Sequence, residues 1–187
     1  MTKILTAILL FAALVVVVPA NAQEGTAKLE LYGGYDYVRF NINANVAGFP
    51  PTATFNGYGG GGQLEYNAND WLGMVGDLAG YFVPTAGSHQ EAFSYLFGPR
   101  LNLRRGKLTP FAQILFGGIL ASGGIGTSGP VDHYAMTAGG GLECRVSRLI
   151  AIRLAQAEYF MTKFPDGLNN RQDNFRFGTG VVFRFGS

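Results

Sequence analysis

From Lys28 onward the chain alternates apolar residues with polar residues or glycine at a period of two, and no segment carries a convincing 3.6-residue period. The alternation falls into eight runs: 28–40 (KLELYGGYDYVRF), 55–67, 71–82, 93–104 (FSYLFGPRLNLR), 107–118, 133–146, 149–160 and 174–185. In the fourth run Phe93, Tyr95, Phe97, Pro99, Leu101 and Leu103 share one parity, against Ser94, Gly98, Arg100, Asn102 and Arg104. The eighth run repeats the split, with Phe175, Phe177, Val181, Phe183 and Phe185 against Asn174, Arg176, Gly178, Gly180 and Arg184. Each run therefore predicts a strand with one greasy and one wet face, of the length that crosses a bilayer at a tilt. The segments between runs alternate long and short: 41–54, 83–92, 119–132 and 161–173 are long, while 68–70, 105–106 and 147–148 are tight. An even number of strands with this alternation places both termini and all tight turns on one side, which in an outer-membrane barrel is the periplasm.

A period of two does not say which face is inside, because a soluble ligand-binding barrel alternates with its apolar face inward. Three features favour the inverted, membrane arrangement. The charges on the proposed inner face nearly cancel, with Glu30, Asp36, Glu65, Asp77, Glu143 and Glu158 against Arg100, Arg104, Arg145, Arg153, Arg176 and Arg184, as a narrow interior requires of buried ions. The bases there are all Arg, whose planar fork bridges several carboxylates. Tyr37, Tyr58, Tyr66, Trp71, Tyr81 and Tyr159 lie near run ends, where an interfacial aromatic girdle would sit. Eight strands leave an interior just wide enough for side chains to fill it.

Composition agrees. Charged residues are 14% of the 187 and aromatics 13%, with 28 glycines, which excludes a disordered chain and departs from an ordinary cytosolic domain. A net charge of +2 offers no electrostatic case for nucleic acid. The N-terminus adds a targeting segment: Lys3, an apolar run from Ile4 to Val18, and Pro19-Ala20-Asn21-Ala22 with small residues where a signal peptidase reads. Residues 1–22 are thus predicted to be a cleavable signal peptide, with 23–187 as one barrel domain. The apolar run is too short for a transmembrane anchor, and no cysteine follows the cleavage site to carry a lipid.

The segments LYGGYDYVRF, GYGGGGQLEYNANDWLGMVGDLAGYF, YLFGPRLNLRRGKLTPFAQILFGG and AIRLAQAEYF resemble the small outer-membrane β-barrel family, the OmpA/OmpX-type eight-stranded barrels of Gram-negative bacteria. The likeness runs through residues 23–187, and Phe97-Gly98-Pro99-Arg100 followed by Pro110-Phe111 is its most specific piece. The ending Gly180-Val181-Val182-Phe183-Arg184-Phe185 is similar to the C-terminal signal such proteins present to the barrel assembly machinery; it departs in having Gly178 at an expected polar position and Gly186-Ser187 after the last Phe. The resemblance implies an all-β, antiparallel up-and-down transmembrane barrel in the bacterial outer membrane, a monomer surrounded by outer-membrane lipid and lipopolysaccharide. The peptidoglycan-binding domain that some relatives carry is not expected.

Candidate chemistry is thin. A rim hydrolase would need a nucleophile and a His together. His133 has Asp132 beside it, but the position two residues on, which holds a Ser in lipid A deacylase barrels, is Ala135; His89 falls in the second long connection near Ser88 and Glu91. The glycine runs 59–62 and 139–141 have no following helix to cradle a phosphate, and are read as strand glycines that make room for neighbouring Arg and aromatic side chains. One cysteine, Cys144, excludes an internal disulfide; its parity places it outward. In the seventh run strict alternation would turn Gln156 and Glu158 to the greasy face, so a bulge near Ala155 is predicted. No catalytic, cofactor or metal residues are assigned. The expected function is a non-enzymatic structural and surface-display barrel, its interior filled by an Arg/carboxylate network and its four long loops available for interaction. A narrow pore, a rim enzyme acting on outer-leaflet lipid, and a secreted lipocalin-like barrel are the alternatives.

Overall fold

The computed structural model describes residues 26–42, 53–85, 88–122, 131–164 and 170–186. Eight strands follow in order: β1 (Leu29–Ile42), β2 (Ala53–Asn67), β3 (Leu72–Thr85), β4 (Ser88–Asn102), β5 (Leu108–Ser122), β6 (Val131–Arg145), β7 (Ile150–Thr162) and β8 (Gln172–Phe185). Each pairs antiparallel with its neighbour in sequence, and β1 pairs with β8 from Leu29↔Phe185 to Arg39↔Phe175, closing the sheet into a barrel. Closure gives every strand two partners, so no edge is left with unpaired backbone groups. All eight predicted strands are present, with ends shifted by a few residues.

Three tight connections sit at the end that carries both chain termini. Asn69 Oδ1 accepts from the backbone N–H groups of Trp71 (3.0 Å) and Leu72 (2.8 Å), and Ser147 Oγ accepts from those of Leu149 (3.3 Å) and Ile150 (3.1 Å), so both turns are held by a side chain that mimics the backbone. The β4–β5 turn uses Gly106 at φ 61°, a left-handed conformation that other residues adopt at a cost.

At the opposite end one connection corrects the sequence reading. Residues 83–92 do not form a long loop: β3 and β4 stay paired through Val83↔Gln90, Pro84↔His89 and Thr85↔Ser88, leaving only 86 and 87 between them. Pro84, Gly87 and the polar run after it look like a loop in composition, yet a hairpin projecting past the greasy belt needs no apolar face, so its pairing continues where the alternation fades. His89 accordingly belongs to β4. Residues 43–52, 123–130 and 165–169 of the other long connections, the expected signal peptide at 1–22 and Pro50-Pro51 lie outside the described residues.

The predicted bulge is in β7. Leu142 pairs with Ala155 but Glu143 with Arg153, and on the other edge Arg153 pairs with Gly180 but Gln156 with Gly178. The extra residue at 154–155 resets the parity, so Arg153, Gln156 and Glu158 all point inward and are buried while Leu154 and Ala157 point outward.

Candidate functional site

Among the described residues, ionisable side chains gather away from solvent in the lumen. Parity delivers them from every strand but β5, which contributes the neutral Gln113. Glu30, Asp36, Glu65, Asp77, Glu143, Glu158, Arg100, Arg153, Arg176 and Arg184 are buried there, as the alternation predicts, and Arg104 is partly buried beside Glu30. Arg145 departs from the prediction: it has the inward parity of Glu143, but β6 ends on it, and it is exposed. The inner acids therefore outnumber the inner guanidinium groups by one.

Three arginines organise the middle of the lumen. Arg100 ion-pairs with Glu65 at 2.7 Å, donates through Nε (2.8 Å) and Nη2 (2.6 Å) to Gln113 Oε1, and also donates to Gln63 Oε1. Arg153 places Nη2 2.7 Å and Nε 3.0 Å from Glu143 Oε1 and gives its Nη1 to Gln63 (2.6 Å) and Gln156 (2.5 Å). Arg176 bridges Asp77 at 2.9 Å and Glu158 at 2.5 Å, and reaches the Tyr81 hydroxyl at 3.3 Å. Two glutamines join the clusters. Each turns its carbonyl to arginine and its amide to a carboxylate: Gln63 donates to Asp77 (2.7 Å) and Gln113 to Glu158 (2.7 Å), the only polarity that satisfies both ends of each amide.

Aromatic faces pack the same cations. Arg100 lies 4.3 Å from the Phe111 ring centroid and Arg153 3.9 Å from that of Tyr32, contacts that favour a desolvated guanidinium. Glycines make the room. A Cβ on Gly141 would come within 2.7 Å of the Phe111 ring, and one on Gly61 within 2.1 Å of Asp36 Oδ2, so both runs of glycine serve as spacers rather than as phosphate loops. Towards the terminus end a smaller group closes the lumen: Glu30 Oε1 meets Arg104 at 3.1 Å and Arg184 at 3.3 Å, with Asn67 donating to it at 3.3 Å.

Towards the loop end an apolar layer follows, with the hydrogen-bonded Thr162, Gln172 and Asn174 buried at its margin. Val38, Phe40, Val75, Ala79, Tyr81, Val83, Leu96, Leu115, Ile119, Ala135 and Phe160 form one buried cluster. Sequence reasoning missed this layer and, with it, Tyr81, which belongs to the lumen and not to a girdle. The signal was present: stretches such as LAGYFV and FGGILA are apolar on both parities, the mark of a strand buried on one face and greasy on the other. Of the other aromatics expected at strand ends, Tyr58, Tyr66 and Trp71 are exposed on the outer wall, whereas Tyr37 and Tyr159 are half-buried, Tyr37 donating to Asn56 at 2.9 Å and Tyr159 to Asp173.

The outer wall is the reverse of the lumen. Tyr95, Phe97, Leu101, Ile114, Phe116, Ile152, Leu154, Phe175, Phe177 and Phe183 all stand exposed on it. A soluble barrel would carry its arginines here and its phenylalanines inside. Compared with solved structures, the chain is similar to Ail, the attachment invasion locus protein of Yersinia pestis, at a TM-score of 0.54 and 18% identity, covering 86% of this chain and 99% of that one. It is similar also to Neisserial surface protein A (TM-score 0.63, 16% identity, 83% and 97% covered) and to the N-terminal β-barrel domain of Pseudomonas aeruginosa OprF (TM-score 0.53, 16% identity, 87% and 100% covered). The fold is that of the small eight-stranded outer-membrane barrels. No family model and no curated protein matches the sequence.

Of the residues weighed for catalysis, Asp132 and His133 do not converge, and the side chains of Ser88 and His89 lie outside the described ones. Asp132 turns outward and accepts the Tyr95 hydroxyl at 2.7 Å, while His133 takes the opposite face and packs edge-on against Phe164, ring centroids 4.7 Å apart. Ala135, two residues on from His133, is buried in the apolar layer. Cys144 lies on the outward row between its partners Leu108 and Ile152, as its parity predicts.

Proposed function

We propose that this chain is an outer-membrane barrel of Gram-negative type with a structural and surface-display role, its terminus-and-turn end in the periplasm and its long connections outside. One observation carries the reading: large apolar side chains cover the outer wall while ion-paired arginines fill the lumen. That polarity is stable only if the outer wall meets hydrocarbon and the inner one is withdrawn from it. Strands of 13 to 15 residues exceed the ~9–11 needed to cross the core, leaving hairpin ends to project beyond it.

On this reading residues 1–22 direct export, the C-terminal strand engages the barrel assembly machinery, and the folded monomer sits among phospholipid and lipopolysaccharide. The lumen, closed by a polar network and an apolar layer, supports display and not transport, and no acid–base pair on the described rim supports hydrolysis. The test is fractionation with gel mobility. The protein should partition with outer membranes, resist extraction by salt or carbonate, and migrate faster unboiled than boiled. Recovery as a periplasmic protein soluble without detergent would overturn the proposal.

A further inference from the structure

The charges that the lumen does not hold are distributed unevenly between the two ends. At the loop end, among the described residues, Asp132 accepts from Tyr95 and Asp173 pairs with Arg171 at 2.9 Å. At the turn end Arg105, Lys107, Arg145 and Arg148 are all exposed, and none makes an ion pair or side-chain hydrogen bond among the described residues. They are not scattered. The Arg145 N–H bonds Lys107 O at 2.7 Å, so the β4–β5 and β6–β7 turns lie side by side and the four cations form one patch. Asp70, the one described acid at this end outside the lumen, already accepts the Thr26 hydroxyl.

The same turns expose large aliphatic side chains. Val146 is 63% and Leu149 61% exposed, and Leu103 and Leu108 flank Arg105 and Lys107 on the outer wall. A patch facing only water, or a polymeric cell wall, gains nothing from aliphatics set between its cations. A patch at the boundary of acyl chains and head groups gains from both, with the aliphatics in hydrocarbon and the cations at the phosphate level. Resting on the membrane reading above, we propose that this patch binds the phosphates of anionic phospholipid head groups, of the phosphatidylglycerol class, in the leaflet facing the turns, and so fixes the depth of the barrel.

The single tryptophan is placed to report it. Trp71, 57% exposed at this end, accepts the Asn102 N–H at 2.8 Å and so stands beside the β4–β5 turn. The experiment refolds the full chain into phosphatidylcholine vesicles doped with brominated phosphatidylcholine or, at equal mole fraction, brominated phosphatidylglycerol, and reads Trp71 quenching. The expected preference for the anionic lipid is about fivefold at low salt, declining as salt screens the patch. It should fall towards unity in the R105Q/K107Q/R145Q/R148Q variant, with folding checked by unboiled gel mobility; the pair R105Q/K107Q, nearest Trp71, serves if the quadruple variant does not fold. Equal quenching by the two lipids in the wild type, or a preference unchanged in the variants, would overturn the proposal. So would wild-type binding to purified murein sacculi, lost in the variant, without lipid preference, since the partner would then be the cell wall. Quenching by neither brominated lipid would count against the membrane reading itself, a distinguishable result.

Discussion

Arg100 is held by Glu65 at 2.7 Å, the more distant Glu143 at 3.8 Å, two glutamine carbonyls and a phenyl face, so each of its donors has been taken from water only because a partner replaces it. Arg100→Ala should therefore lower unfolding stability in urea by about 3–5 kcal/mol, since Glu65 would be left buried without its cation. Arg100→Lys should recover only part of that, because a point charge cannot span Glu65 and Gln113 as the fork does. Two hydroxyls give the opposite expectation. Ser94 Oγ and Thr137 Oγ1 are buried beside the apolar layer with no hydrogen-bond partner among the described residues, so Ser94→Ala and Thr137→Val should be neutral or stabilise by up to about 1 kcal/mol in the same titration. Cys144, outward between Leu108 and Ile152, should react faster with an apolar maleimide than with a charged one in membrane-embedded protein. At this scale the sequence was informative wherever parity alone decides burial, as for Arg100, Arg153 and Arg176. It misled where position along the strand decides: Arg145 is inward by parity yet lies at the last residue of β6, and Tyr81, near a run end where a girdle residue would sit, is buried in the lumen.

Among the elements, β7 was the most legible irregularity. Ile150, Ile152 and Leu154 fix one parity, and Gln156 and Glu158 contradict it, so a residue had to be inserted between them. Deleting Ala155 should turn Gln156 and Glu158 onto the greasy face and strip Arg153 and Arg176 of partners. The deletion variant should show no fast-migrating unboiled form in refolding assays, whereas Ala157→Leu, a change on the outward face, should fold like the wild type. The β3–β4 hairpin was the least legible element. Beyond Val83 and Ala92, which still belong to the apolar layer, hydrophobic alternation no longer constrains the sequence, and the composition of 84–91 mimics a loop although its backbone stays paired. Backbone pairing, which carries no side-chain signature there, is what keeps the strands together.

For the whole molecule, topology and polarity followed from periodicity, because eight runs with apolar and charged faces have few ways to close without exposing an edge. The division of the lumen did not follow. A reading that treats the inner face as uniformly polar finds Gln63, Gln113 and the arginines but passes over Val38, Leu115, Ile119 and Phe160, whose strands are apolar on both sides. The two layers together leave a barrel whose interior is occupied along the described strands. The most direct measurement of that occupancy is current through the refolded protein in planar bilayers, with a heat-denatured sample as control. The wild type should show no steady open-channel conductance. Reproducible unitary steps from the folded protein alone, at low applied voltage, would contradict it and assign the barrel to transport.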